Sequence, residues 1–233
     1  METGKPKLTP KETIHITLMR ELACGLSDTP LVLKGGTALL LAYGLDRFSD
    51  DLDFDAPHKI NLENRIGRIA LKGITITGID VLKDTDTTTR YRVNYHSAYG
   101  KNSLKVEVSY RTPANEEDVV RIDGMRVASI EKIVEQKLDA AENRTSIRDI
   151  YDLAFIVRSH SDNISPKHID RLQRLSTDPD TLSSRYRQAY MDDNVIGKIT
   201  RLEDLVLEFH YGVAGLQPNQ NGHTKEEGSG FSF

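Results

Sequence analysis

The stretch Arg47–Asp55, RFSDDLDFD, sets Asp51, Asp53 and Asp55 in alternation with Leu52 and Phe54. A period of two is how a half-buried strand is written, with apolar side chains on one face and here three carboxylates on the other. Same-face positions two apart lie roughly 6–7 Å from each other, and at an effective dielectric of about 20 two carboxylates there repel by about 2 kcal/mol. A divalent cation reverses the sign of that cost, because hard cations take carboxylate oxygens as ligands. A solvated acidic face on an exposed strand is the alternative reading. Asp50 points to the other face, and Asp55, beside Pro57 at the strand's end, reads as solvated, which leaves Asp51 and Asp53 as the metal-facing pair. An EF-hand is excluded, since Ala56 and Leu62 stand where its glycine and glutamate belong. No buried apolar strand leads into the first aspartate, as an aspartate-nucleophile phosphatase would need. A metal-holding DxD glycosyltransferase stays open.

Upstream, Lys34-Gly35-Gly36-Thr37 opens the apolar segment TALLLAYGL. Glycines at a helix start let a phosphate approach the backbone, where free N–H groups and the positive dipole end lie. The spacing is not that of a Walker A loop, and a bare Gly-Gly turn is an equally simple account. The order of glycine turn, short helix and Asp-x-Asp strand is similar to the layout of nucleotidyltransferases of the DNA polymerase β type. In that layout two metals on the strand align a triphosphate for in-line attack, and a neighbouring strand supplies a third carboxylate. Glu107 in LKVEVSY, sharing a face with Lys105 and Ser109, is the candidate; a solvated glutamate explains it as well.

The rest of the 233 residues divides by pattern. Thr9-Pro-Lys-Glu12 is a capping box with proline at the first helical position, predicting a helix to about Gly25. An amphipathic helix is expected around Asn61 to Leu71. Strands are expected in GITITGIDVL, TTRYRVNYHS and SLKVEVSY, and a strand or hairpin in VRIDGMRVAS. From Ser129 onward only helical patterns follow, several with a Ser or Thr start. The expected division is a mixed α/β part over residues 1–128, a helical part over 129–216 and a disordered polar tail over 217–233. One cysteine excludes a disulfide framework and a cysteine zinc site. No membrane span or signal-peptide core is present, so the cytoplasm is the expected compartment. A net charge of −4 gives no global signature of nucleic-acid binding.

In the helix from Ser129, Lys137 falls within the apolar stripe of Ile130, Ile133, Val134, Leu138 and Ala141. In the next helix, Asp152 is set inside the apolar run IRDIYDLAFIV. A short turn near NRTS joins the two. In an antiparallel hairpin, residues equidistant from the turn face one another, so Lys137 and Asp152 should lie close. A plain interhelical salt bridge is the alternative to a catalytic role. Asp149 reads as a first-turn acid capping the second helix, and Arg148 as an exposed first-turn residue, with a phosphate-facing role as its alternative.

Together, KGGTALLLAYGL, RFSDDLDF and EQKLDAAENRTSIRDIYDLAF resemble the AbiEii/AbiGii toxins, nucleotidyltransferase-like toxins of abortive-infection and type IV-like toxin–antitoxin systems. The resemblance implies an α+β nucleotidyltransferase fold with a mixed sheet, followed by a C-terminal helical bundle. It implies transfer of a nucleotide from an NTP, with Mg²⁺ or Mn²⁺, to an RNA such as tRNA, and a cognate winged-helix antitoxin encoded nearby. By residue, Ser49 and Asp51 match the family's Ser-x-Asp pair, with Asp51 the chief metal ligand and Asp53 its partner. Lys137 matches the lysine that neutralises triphosphate charge, and Asp152 the late aspartate, which either orients Lys137 or activates the acceptor hydroxyl. Lys34, Gly35, Gly36 and Thr37 would hold phosphates together with Ser49. A small-molecule nucleotidyltransferase and a non-catalytic nucleotide-binding module are the other readings.

Overall fold

The computed structural model describes residues 8–217, so the expected tail lies outside the described residues apart from Gln217. The first helix, α1 (Pro10–Gly25), starts at the predicted capping box: the Glu12 amide donates to Thr9 Oγ1 at 3.2 Å, and the Thr9 amide donates to Glu12 Oε2 at 2.7 Å. It leads to β1 (Val32–Leu33), α2 (Gly35–Ala42) and β2 (Asp51–Asp55). Then come α3 (Glu63–Ile66), β3 (Ile74–Asp84), β4 (Thr88–Ser97), β5 (Gly100–Ser109), β6 (Val119–Ile122) and β7 (Met125–Ala128). Two elements depart from expectation: the two-residue β1 is not among the expected strands, and α3 is shorter than expected. The amphipathic pattern predicted eleven residues of helix, but Gly67 interrupts it and a single turn forms.

The strands form one seven-stranded sheet in the order β3-β4-β5-β2-β1-β7-β6. It is mixed: β2 runs parallel to β5 and antiparallel to β1, and β1 is parallel to β7. The change to helices falls at Ser129, whose hydroxyl caps α4 by accepting from the Lys132 amide at 3.2 Å. Four more helices follow: α5 (Ile147–His160), α6 (Pro166–Ser176), α7 (Pro179–Asp192) and α8 (Leu202–Ala214), with α4 spanning Ile130–Asn143. Ten of the fourteen residues of α5 are buried, because α4, α7 and α8 pack around it. One hydrophobic core runs from Leu33, Leu52, Val106 and Val127 of the sheet into Val134, Leu138 and Ile150 of the helices. Two consequences matter for the site. The short helix α2 packs on β2 and against α4, so the glycine turn, the acidic strand and the Lys137 helix share one edge. No described helix is long and apolar enough to cross a membrane.

Candidate active site

Alternation along β2 buries Leu52 and Phe54 and turns Asp51 and Asp53 to the other face, as the sequence pattern requires. The parallel register sets Asp51 beside Lys105 and Asp53 beside Glu107. Two of these carboxylates have cation partners: Asp51 pairs with Lys105, and Glu107 with Arg90 at 2.6 Å. Asp53 has no ion pair among the described residues. Burial pushes its pKa up, and the charges of Asp51 and Glu107 push it further, against the pull of Lys105 and Lys34.

A half-buried carboxylate held among like charges fits the oxygen donor set of Mg²⁺ or Mn²⁺. No group of three or more His, Cys, Asp or Glu side chains among the described residues is arranged to hold a metal. Asp51 and Asp53 would therefore supply the protein ligands, with phosphate and water completing the shell, as Mg²⁺ prefers. Glu107 would join only by leaving Arg90.

The glycine turn lies directly over this pair. Gly35 adopts φ +69°, open to glycine at no steric cost, and a Cβ there would sit 3.8 Å from Asp53 Oδ2. Lys34, the N-cap, makes no side-chain capping bond, so the first amides of α2 are left for another acceptor. Thr37 Oγ1 lies 2.8 Å from Ser49 Oγ and also donates to the Asp51 carbonyl, tying the turn to the entry of β2. Asp55 corrects the expectation of a solvated strand end. It is 2% exposed, paired with Lys34, and accepts from Gln136 Nε2 at 2.9 Å. Lys34 and Gln136 of α4 close over it and remove it from water.

Behind the turn lies a buried charge network. Arg47, 3% exposed, donates from Nε and Nη2 to the two oxygens of Asp152, each at 2.7 Å. Lys137 Nζ lies 2.6 Å from Asp152 Oδ2 and donates to Asp149 Oδ1 at 2.8 Å. The hairpin thus brings Lys137 and Asp152 together as its symmetry predicted. Asp149 sits in the first turn of α5 behind the N-cap Ser146, as expected, but does not cap it: Ser146 makes no side-chain cap, and the buried Asp149 carboxylate also accepts from Arg144 Nε at 2.9 Å. Arg148 is not free in solvent either, since it pairs with Asp193 at 2.6 Å. Burial would raise the Asp152 pKa, but Lys137 and Arg47 outweigh it and hold the carboxyl below its usual value.

Arg47 carries a role that sequence reasoning did not assign. It opens the RFSDDLDF segment, but the partner that explains it lies 105 residues away. Its guanidinium also fills the space where a Cβ on Gly36 would stand. Helix propensity alone would favour alanine at position 36. Here the pinned guanidinium must shift, which disturbs the Nη2 bond to Asp152. Gly36→Ala is therefore expected to destabilise the chain by about 1–3 kcal/mol, the usual cost of overpacking. A thermal melt checks this, and a rise in Tm would show that Arg47 is free to yield.

The model of the family described as "Nucleotidyl transferase AbiEii toxin, Type IV TA system" matches residues 17–205. The chain belongs to this AbiEii toxin family. It is a nucleotidyltransferase. Among solved structures, JHP933 from Helicobacter pylori is 40% identical, with a TM-score of 0.85 over 89% of this chain and 92% of that one. A candidate nucleotidyltransferase from H. pylori is also 40% identical, with a TM-score of 0.83 over 89% and 95%. No curated protein matches the chain.

In this AbiEii-family chain the elements above surround an open cleft of about 530 Å³ between the C-terminal ends of β2 and β5 and helix α4. Lys34, Gly35, Asp53, Glu107, Lys137, Arg144 and Asp149 line it. Its full lining carries five cations against six carboxylates, so a divalent ion would tip the balance towards positive, as a triphosphate requires. Asp152 does not reach the cleft: it is fully buried behind Lys137.

Proposed function

We propose that this nucleotidyltransferase moves a nucleotide from an NTP to an RNA acceptor such as tRNA, in the cytoplasm, and that a cognate winged-helix antitoxin encoded nearby restrains it. The observation that carries the reading is the Asp53 carboxylate, without an ion pair among the described residues, under the Gly35 turn and lining with Lys137 a cleft of nucleotide size. Residues 1–128 would supply the metal- and phosphate-binding half, and residues 129–216 the helices that present Lys137.

In the proposed reaction an acceptor hydroxyl oxygen bonds to the α-phosphorus and the bond to the β-phosphate bridging oxygen breaks. Pyrophosphate leaves with the electron pair, and the hydroxyl proton passes to solvent. A divalent cation held by Asp51 and Asp53 would polarise the phosphoryl group and neutralise part of the triphosphate. The α2 amides at Gly35, Gly36 and Thr37, with Ser49, would hold the β- and γ-phosphates. Lys137, with Lys34 lining the same cleft, would stabilise the charge that grows on pyrophosphate. Asp152 acts as a positioning residue in this scheme. A carboxylate shut from the cleft and shared by two cations holds Lys137 in place and cannot reach an acceptor hydroxyl.

The test is to incubate the protein with each labelled NTP, Mg²⁺ and total RNA, beside an Asp51→Ala variant. Label should enter RNA with the wild type, and Asp51→Ala should lose both transfer and growth inhibition. An Asp51→Ala protein that stays fully toxic sinks the metal reading, and label on a small molecule alone sinks the RNA reading.

A further inference from the structure

A second depression meets the carboxylate pair from the other end of β2. The nucleotide cleft takes the strand ends beyond Asp53 and Glu107, and Asp51 does not line it. A groove of about 380 Å³ is lined instead by Asp51, Lys105, Phe48 and Lys11, and not by Asp53. Through Asn102 and Ser103 it continues into a further open depression that reaches Lys101. The two sides of the metal-facing pair therefore open into different spaces.

In-line displacement needs the attacking and leaving oxygens on opposite sides of phosphorus. With pyrophosphate leaving towards Lys34, Gly35 and Lys137, the acceptor must arrive from the Asp51 side. We propose that this groove is the acceptor's path and binds the hydroxyl-bearing end of a single-stranded polynucleotide. The assignment rests on the RNA-transfer reading given above.

The groove's length and chemistry carry the choice of occupant. From Lys105 to Lys101 along β5 is roughly 13 Å at the usual strand rise. That span takes a few nucleotides of a single strand following the groove. Lys105 is committed to Asp51, whereas Lys11 and Lys101 are exposed and form no ion pair among the described residues. They are free to meet backbone phosphates. The half-buried Phe48 ring, beside His15, offers a stacking surface in the groove, the kind of contact that single-strand binders use without regard to sequence. Two carboxylates also border the groove. Glu12 is turned into its capping box with Thr9, and Asp50 is exposed.

Charge reversal tests the path. Lys11→Glu/Lys101→Glu alters two exposed side chains, one in the first turn of α1 where glutamate suits the helix dipole. A fluorescent mixed-sequence single-stranded RNA 12-mer is titrated with both proteins from 50 to 200 mM salt, without metal or NTP. The variant should bind at least about 10-fold more weakly at the low-salt end. Its log–log salt slope should be shallower by about 1.4, for two lost single-strand phosphate contacts. The thermal upshift produced by Mg²⁺ and NTP should be unchanged. Equal RNA affinity and slope, or RNA labelling with equal KM for RNA in both proteins, overturns the groove alone. A wild type that labels a small molecule but no RNA overturns the RNA reading and the groove with it.

Discussion

Asp152→Ala should cost the fold about 3–5 kcal/mol, although the residue never touches solvent or substrate. Removing one partner of a buried ion pair leaves an uncompensated charge, and that range is its usual price. Here two cations lose their partner at once: Arg47 its bidentate acceptor, and Lys137 one of its two carboxylates. At about 2–4 °C per kcal/mol for a chain of this size, Tm should fall by roughly 6–20 °C. Urea melts would check it, and a loss below about 1 kcal/mol would show that the network is not a stabilising unit. The pH dependence has a definite direction. The Asp152 pKa is lowered on folding, so its contribution is present above the unfolded value and is lost as pH falls through the lower, folded one. Wild-type protein should thus keep this contribution until pH drops below the ordinary aspartate range. Transfer activity should fall as well, because Lys137 loses the carboxylate that aims it.

Asp53→Asn should move stability and activity in opposite directions. Like-charge repulsion of about 2 kcal/mol at this spacing acts on a carboxylate that has no ion pair of its own. Neutralising it should stabilise the metal-free chain by about 0.5–2 kcal/mol, the common gain from relieving a functional site. Nucleotide transfer should drop by about 10³ or more, since a metal supplies several kcal/mol of transition-state stabilisation and each 1.36 kcal/mol is tenfold. Thermal melts with and without Mg²⁺ and NTP, beside the transfer assay, read both effects. A less stable Asn variant would show that Asp53 is structural. The raised pKa of Asp53 adds a pH signature. Its contribution to the metal-free fold is full below the unfolded value and is lost as pH rises through the folded one, so mild acid should stabilise wild type and not Asp53→Asn. Metal binding needs the ionised form. Affinity for Mg²⁺ should accordingly weaken as pH falls, through competition between proton and metal.

Local pattern carried a large part of this molecule. Period-two alternation set Asp51 and Asp53 on one face of β2, and the capping box started α1 at Pro10. The equidistance rule brought Lys137 to Asp152 across the α4–α5 turn. Each of these depends on residues near in sequence, or on a hairpin whose geometry follows from its turn. The failures share a cause as well. Asp55 reads as solvated until Lys34 and Gln136 close over it, and Asp149 reads as a cap until Lys137 and Arg144 claim it.

The sequence by itself determined the order of the elements other than β1, the switch from sheet to helices at Ser129 and the carboxylate pair, because backbone periodicity and capping are short-range physics. Only the tertiary structure decided which charges are spent on one another. Arg47 and Asp152, 105 residues apart, form a bidentate pair, while Asp53 is left without an ion pair among the described residues. Pairing of charges is set by where packing of α2, α4 and α5 excludes water, and no spacing along the chain records that.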